Sequence, residues 1–267
     1  MVDADVQIVD RGRMTLDYNH LVDGAIMNSS SDPNPDLVRK EIPVFALLID
    51  HPEATILMDT GSHPDAGNGH WRDWLYDGSH HYDAHEHRLD EDIAETGFDI
   101  DDIDAVFMTP LHLDHAGGLY HFADTDTPIY VHERELKYAW YSACRDDGDV
   151  GYVRGDFDHD LNWMPLHRDV ETHFEDFEFR HMPGHTPGFT GGMLHTDAHG
   201  TIIIAGDLIY LDENYQHDEP LGAHFLDSRY DWLESLRTVK ELERRHDAEI
   251  VYGHDLEQFE ALGDGYV

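Results

Sequence analysis

The chain has 267 residues, 57 acidic side chains against 17 basic ones, a formal net charge of −40, and 40% hydrophobic and 11% aromatic content. That apolar share supports a packed core and excludes an acidic disordered chain, while the charge excludes polyanionic partners, since nucleic acid and anionic lipid would both be repelled. Self-repulsion on this scale destabilises a compact state unless counterions screen it, which points to concentrated salt, where the Debye length falls to ~3 Å at 1 M.

In chain order, the apolar runs 42–50 (IPVFALLID) and 54–61 (ATILMDTG) predict buried strands, followed by an irregular stretch over 62–87. A weak helix is expected over 88–97, strands over 103–110 and 127–132, and a second weak helix over 132–143. A further irregular stretch, 144–165, precedes the strand 200–207. The clearest helix is 228–246, where Leu233, Leu236, Val239 and Leu242 recur near helical spacing behind Ser228 as a cap. A last strand is expected over 248–255. Strands alternating with helices along the whole length predict a layered α/β architecture in a single domain, 1–267. The two irregular stretches are expected to wall a cleft, because long loops inside a compact domain are commonly functional.

Cys144 is the one cysteine, so no internal disulfide is available. No apolar run approaches the roughly 18 residues of a membrane span, and the opening MVDADVQIVDRGRM lacks a cationic, apolar leader. A soluble, cytoplasmic protein acting on a small molecule is expected, without nucleic-acid or membrane partners. The oligomeric state stays open, a dimer being one option.

The chemistry is concentrated where strands end. His112, Asp114 and His115 follow the strand ending near Thr109; His185 lies in MPGHTPG; Asp207 ends IIIAGD; His254 lies in IVYGHD. Four separate segments thus deliver ligand-type side chains, and α/β sheets build sites at the carboxyl ends of their strands. Imidazole and carboxylate donors suit zinc, with manganese, iron or cobalt as alternatives. Any single one of the 23 histidines is more readily a solvated or packed residue than a ligand. The cluster HHYDAHEH (80–87) has no strand or helix beside it and reads as a solvated loop.

These residues resemble the metallo-β-lactamase superfamily, through DTG (59–61), HLDHAGG (112–118), GHTPG (184–188), AGD (205–207) and GHD (253–255). Within it the chain is similar to the N-acyl-homoserine lactone lactonases, the quorum-quenching enzymes, in AGDLIYLDENY (205–215), YGHDLEQ (252–258) and GRMTLDYN (12–19). The resemblance implies an αββα sandwich with a metal site at the edge between its two sheets. It implies a first metal held by His112, His185 and Asp207, and a second held by Asp114, His115 and His254, with Asp207 bridging. The activity implied is hydrolysis of a lactone or related ester, with Tyr210 and Asp114 as catalytic groups and Asp59 orienting a ligand imidazole.

Two positions depart from the family pattern. Pro110 stands where the histidine opening HxHxDH is found, leaving the first metal two imidazoles and the bridge. Replacement by water or by another side chain such as His63, weak binding, and a single filled site are the alternatives, so one or two ions per chain are expected. Leu113 stands where the lactonases often carry an aromatic. Two other readings stay open: another hydrolase of this fold (a thioesterase, a glyoxalase-II-like enzyme or a lactamase), and a metal-binding scaffold with a degenerate first site.

Overall fold

The computed structural model describes residues 1–145 and 148–263. One sheet is built from β1 (Asp5–Asp17), β2 (Arg39–His51), β3 (Ala54–Met58), β4 (His80–His81), β5 (Ala105–Phe107), β6 (Pro128–His132) and β7 (Asn162–Leu166). Its spatial order is β4-β1-β2-β3-β5-β6-β7. The other contains β8 (Val170–Phe174), β9 (Phe177–His181), β10 (Thr190–Thr196), β11 (Gly200–Gly206) and β12 (Glu249–Tyr252), in the order β12-β11-β10-β9-β8. Helices α1 (Tyr18–Leu21), α2 (Asp73–Gly78), α3 (Leu89–Glu95) and α4 (Glu133–Ala143) come first in chain order. The remainder are α5 (Arg154–Phe157), α6 (Asp212–His217), α7 (Arg229–His246) and α8 (Leu256–Leu262).

The two-residue side-chain period of strands explains why β3 and β11 read as unbroken apolar runs. Ile56 and Met58 point into the layer between the sheets with Ile202 and Ile204, where Phe107 stacks on Phe179 at 3.6 Å between ring centroids. Leu57 points the other way, into a cluster that includes Leu89 and Ile93 of α3 and Ala139 of α4. Ile203 and Ala205 likewise face Trp232, Leu236, Val239 and Leu242 of α7. Each fully buried large apolar side chain contributes roughly 1.5–3 kcal/mol, so four on one helix face hold α7 firmly to its sheet. Ser228 starts α7 as expected, its hydroxyl accepting from the Asp231 amide at 3.2 Å. The layers are helix, sheet, sheet, helix, the expected αββα sandwich.

Several elements depart from expectation. The runs 54–61 and 103–110 leave their strands early, at Met58 and Phe107, because the chain then turns along the sheet edge; Asp59 takes a left-handed φ of 62° there. The stretch 62–87 contains α2, β4 and short 3-10 turns at Ala66–Asn68 and Ala84–Glu86, so 80–87 is not the solvated loop expected: His81 and Ala84 are buried. The stretch 144–165 contains α5 and β7, while residues 146 and 147 lie outside the described residues. Strands β8 (VETHF) and β9 (FEFRH) are rich in polar residues: β9 buries Phe177 and Phe179 on one face, and β8, at the sheet edge, is largely exposed. Among the described residues, no helix is long and apolar enough to cross a membrane.

The acidic composition also enters the backbone: Asp218 and Asp247 close α6 and α7 in the left-handed conformation usually given to glycine. A carboxylate at a helix C-terminus opposes the helix dipole, a cost that salt screens. The midpoint of thermal unfolding is therefore expected to rise steadily from low salt into molar potassium chloride. A midpoint that falls or stays flat over that range contradicts the role assigned to charge.

Candidate metal centre

Four chain segments converge where the carboxyl ends of the strands meet. Adjacent parallel strands β11 and β12 deliver Asp207 and His254, and the turn after β11 is locked to the latter by Gly253 N–H to Ile209 O (2.9 Å) and His254 N–H to Tyr210 O (3.0 Å). The loop after β5 brings His112, Asp114 and His115; that between β9 and β10 brings His185. Thr190 N–H donates to Thr109 O across the two sheets at 3.3 Å, tying the last two loops together. All six residues named from sequence meet here, in two groups: His112, His185 and Asp207, and Asp114, His115 and His254.

The outer nitrogens of three imidazoles are fixed. His115 Nδ1–H donates to Asp59 Oδ2 (2.9 Å), His185 Nδ1–H to Phe225 O (2.7 Å) and His254 Nδ1–H to Pro43 O (2.9 Å). Asp59 can do this because its strained turn also takes Thr109 N–H (2.8 Å) and Thr109 Oγ1–H (2.6 Å), which aim its carboxylate. With their protons outward, all three Nε2 lone pairs point inward. His115 and His185 Nε2 each lie 3.1 Å from Asp207 Oδ2, His254 Nε2 lies 3.1 Å from Asp207 Oδ1, and His185 Nε2 lies 2.9 Å from His112 Nδ1. Lone pairs facing lone pairs in a dry site are repulsive without a cation or proton between them. Asp207 Oδ1, buried with no hydrogen-bond donor, states the same need. The donor set therefore fits divalent metal, and the inward imidazoles with outer acceptors are the arrangement that metal-ligating histidines adopt.

Protons compete for the same lone pairs. Burial lowers the His115 pKa, but the carboxylates of Asp207, Asp114 and Asp59 outweigh it and hold the group well above the ordinary histidine value. His185 and His254 are raised in the same way, against burial, by Asp207. His112 goes the other way, to about 4, through burial and the neighbouring His185. Asp207 lies far below the usual carboxylate range: burial raises it, and the surrounding imidazoles prevail.

His63 does not join the ligands: it stacks on His70 at 3.8 Å, next to Tyr120. Nor do the histidines of 80–87: His81 bonds Ser62 Oγ at 2.8 Å and His87 faces Asp92 at 3.4 Å. Pro110 is buried and offers no donor. Two acidic residues near the ligands were missed from sequence. Glu135, fully buried in α4, accepts from Leu111 N–H (2.9 Å), Tyr152 Oη–H (2.7 Å) and Thr186 Oγ1–H (2.5 Å), so it braces the neighbours of both His112 and His185. Burial holds its carboxyl above the ordinary value, against the pull of those three donors. Nothing but its place in the first turn of an amphipathic helix marked it. The other, Asp149, lies in the stretch 144–165 expected to wall a cleft; it faces His112 Nε2 at 3.9 Å.

The model of the metallo-beta-lactamase superfamily matches residues 39–254. This chain belongs to that superfamily. Among its relatives, the chain is 28% identical to an N-acyl homoserine lactonase of Bacillus sp over 256 residues, covering 94% of this chain and 92% of the relative. The solved structure of an N-acyl homoserine lactone hydrolase with N-hexanoyl-L-homoserine at its catalytic metal centre superposes with a TM-score of 0.80 at 24% identity, over 98% of this chain and 97% of the other. AidC, described as a dizinc quorum-quenching lactonase, superposes with a TM-score of 0.67 at 17% identity, over 96% and 89%. These neighbours share the metallo-beta-lactamase fold across nearly the whole chain.

A pocket of about 620 Å³ opens over the ligands. Met14, Leu16, Trp74, Leu75, Leu113 and Phe225 line it together with His112, Asp114, His185, Tyr210 and His254, and Asp149 and Asp227 add carboxylates to the lining. Tyr210 is buried edge-on to His254 (4.8 Å) and His185 (5.7 Å).

Metal uptake must displace the protons that Asp207 stabilises on His115, His185 and His254. Their pKa values are raised, so zinc affinity is expected to fall as pH drops and to begin falling above the ordinary histidine range of ~6.5. Equilibrium zinc titrations across the neutral range check this. Affinity that stays constant from mildly alkaline to mildly acidic pH contradicts it.

Proposed function

We propose that this chain is a metal-dependent lactonase that opens the ring of N-acyl homoserine lactones or closely related esters. The observation that carries the proposal is the convergence of two ligand groups on one carboxylate, Asp207, at a pocket lined by both apolar and polar side chains. A mixed lining of this kind suits a molecule that joins an ester ring to an acyl chain. His112, His185 and Asp207 would hold one divalent cation, and Asp114, His115 and His254, with Asp207, the other; zinc is the metal favoured by this donor set. Bound there, the cations supply Lewis-acid polarisation of the carbonyl and bring a water's pKa toward neutrality.

The chain's own groups do the rest. Burial, with Asp207, Asp114 and Asp149 close by, holds the Tyr210 hydroxyl well above its ordinary pKa, so it stays protonated and serves as a hydrogen-bond donor to the oxygen on which negative charge develops. Asp114 reaches between His115 Nε2 and His254 Nε2, 3.7 Å from each, and lines the pocket, placed to carry a proton to the departing alkoxide. Leu113 packs with Trp71 and Leu75 and lines the pocket, so acyl-chain preference is set by aliphatic rather than aromatic contact at that point. The same proposal places the enzyme, as a single domain, in a salt-rich cytoplasm, supported by the net charge of −40 and the single Cys144.

Metal-loaded protein in molar salt is expected to open an acyl-homoserine lactone faster than it cleaves a matched thioester or β-lactam. Tyr210→Phe is expected to lower kcat about 10²-fold with little change in KM, as for loss of one preorganised donor. Folded, metal-loaded protein that leaves the lactone intact, or that prefers the thioester, removes the substrate assignment.

A further inference from the structure

Four imidazoles face the candidate metal centre, and three have an acceptor on the nitrogen turned away from it. His112 differs: Nδ1 faces His185, and Nε2 is buried with no hydrogen-bond partner. The residue is 8% exposed, so water does not freely serve that nitrogen. The nearby carboxylate is Asp149, whose Oδ2 lies 3.9 Å from His112 Nε2. Its other oxygen, Oδ1, already accepts from Gly151 N–H at 3.0 Å, which leaves Oδ2 turned toward the ring.

The segment carrying Asp149 is itself fastened to the ligand loop. Gly151 O accepts from Leu113 N–H at 2.9 Å, and a Cβ on Gly151 would stand 2.9 Å from His112 Cδ2, so only glycine lets the backbone come this close. Tyr152, the next residue, packs its ring on His112 at 4.4 Å and bonds Glu135. His112 is thus enclosed by 149–152, and shortening the Asp149 contact by about 1 Å brings it into hydrogen-bond range.

We propose that Asp149 is the positioning residue of His112: its carboxylate accepts the Nε2 proton, fixing the tautomer that presents the Nδ1 lone pair to the first metal. The inference rests on the metal-centre reading above. It matters most in the half of the site that Pro110 leaves with two imidazoles, because each remaining ligand there carries a larger share of the binding. An outer carboxylate also raises the basicity of the imidazole it holds, and loss of such a partner costs 10–100-fold in metal affinity.

The test uses the full chain in molar salt, with zinc alone as probe, in competition with a chelator, and with the His112 tautomer read from its ring-carbon NMR shifts. In the wild type, the assignment expects Nε2-protonated His112. Asp149→Ala is expected to weaken zinc at one of two sites by about 10–100-fold and to leave the tautomer mixed. Asp149→Asn, whose amide oxygen still accepts, should recover the tautomer and part of the affinity. A wild type that binds zinc through His112, with affinity and tautomer both indifferent to Asp149→Ala, overturns the inference alone. A wild type in which His112 takes up no zinc overturns the metal-centre reading with it.

Discussion

Asp207 is 1% exposed, and three imidazoles present Nε2 lone pairs to its two oxygens at 3.1 Å each. A buried carboxylate surrounded by acceptors has no neutral solution in protein alone: either protons or cations must sit between the groups. The rest of the molecule is arranged around that constraint. Both sheets end at this point, and the turn after β11 bonds His254 to Tyr210 so that carboxylate, ligand and hydroxyl move as one unit. Asp59 takes a left-handed backbone conformation to hold the outer nitrogen of His115.

The electrostatic frame differs between the two halves of the site. Asp114 and His115 lie in the loop after β5 and His254 follows β12, with outer partners Asp59 and Pro43 holding the two imidazoles. His185 is held by Phe225 O at 2.7 Å, whereas the outer nitrogen of His112 has no hydrogen-bond partner, and Pro110 offers no donor in their neighbourhood. Glu135 takes up part of that load by binding Leu111, Thr186 and Tyr152 at once, a buried carboxyl satisfied by three donors. The first group is consequently the less supported one, because the outer nitrogen of His112 lacks the hydrogen bond that the other three imidazoles have.

Much of this was legible in the sequence for a physical reason. His112, Asp114, His115, His185, Asp207 and His254 all follow apolar or glycine-flanked strand ends, and that placement survives folding because strand ends are where an α/β sheet opens to solvent. The doubly buried strands β3 and β11 were legible because both faces are apolar. Strands β8 and β9 were hidden by their high polar content, and β10, TGGMLHT, by its glycines, although Gly191 and Gly192 are there because Met182 and Phe177 press against them. Glu135 and Asp149 were illegible because each acts on residues far along the chain, through contacts that only the packing of α4 and the 148–151 segment creates.

Metal content tests the central claim most directly, because the paired ligand groups around Asp207 have a definite stoichiometric consequence. Elemental analysis of the chain equilibrated with zinc, followed by stepwise chelation, is predicted to give two ions per chain, one removed at a lower chelator concentration than the other. A single ion per chain at saturating zinc, with the spectroscopic signals of His112 and His185 unmoved, would contradict the account.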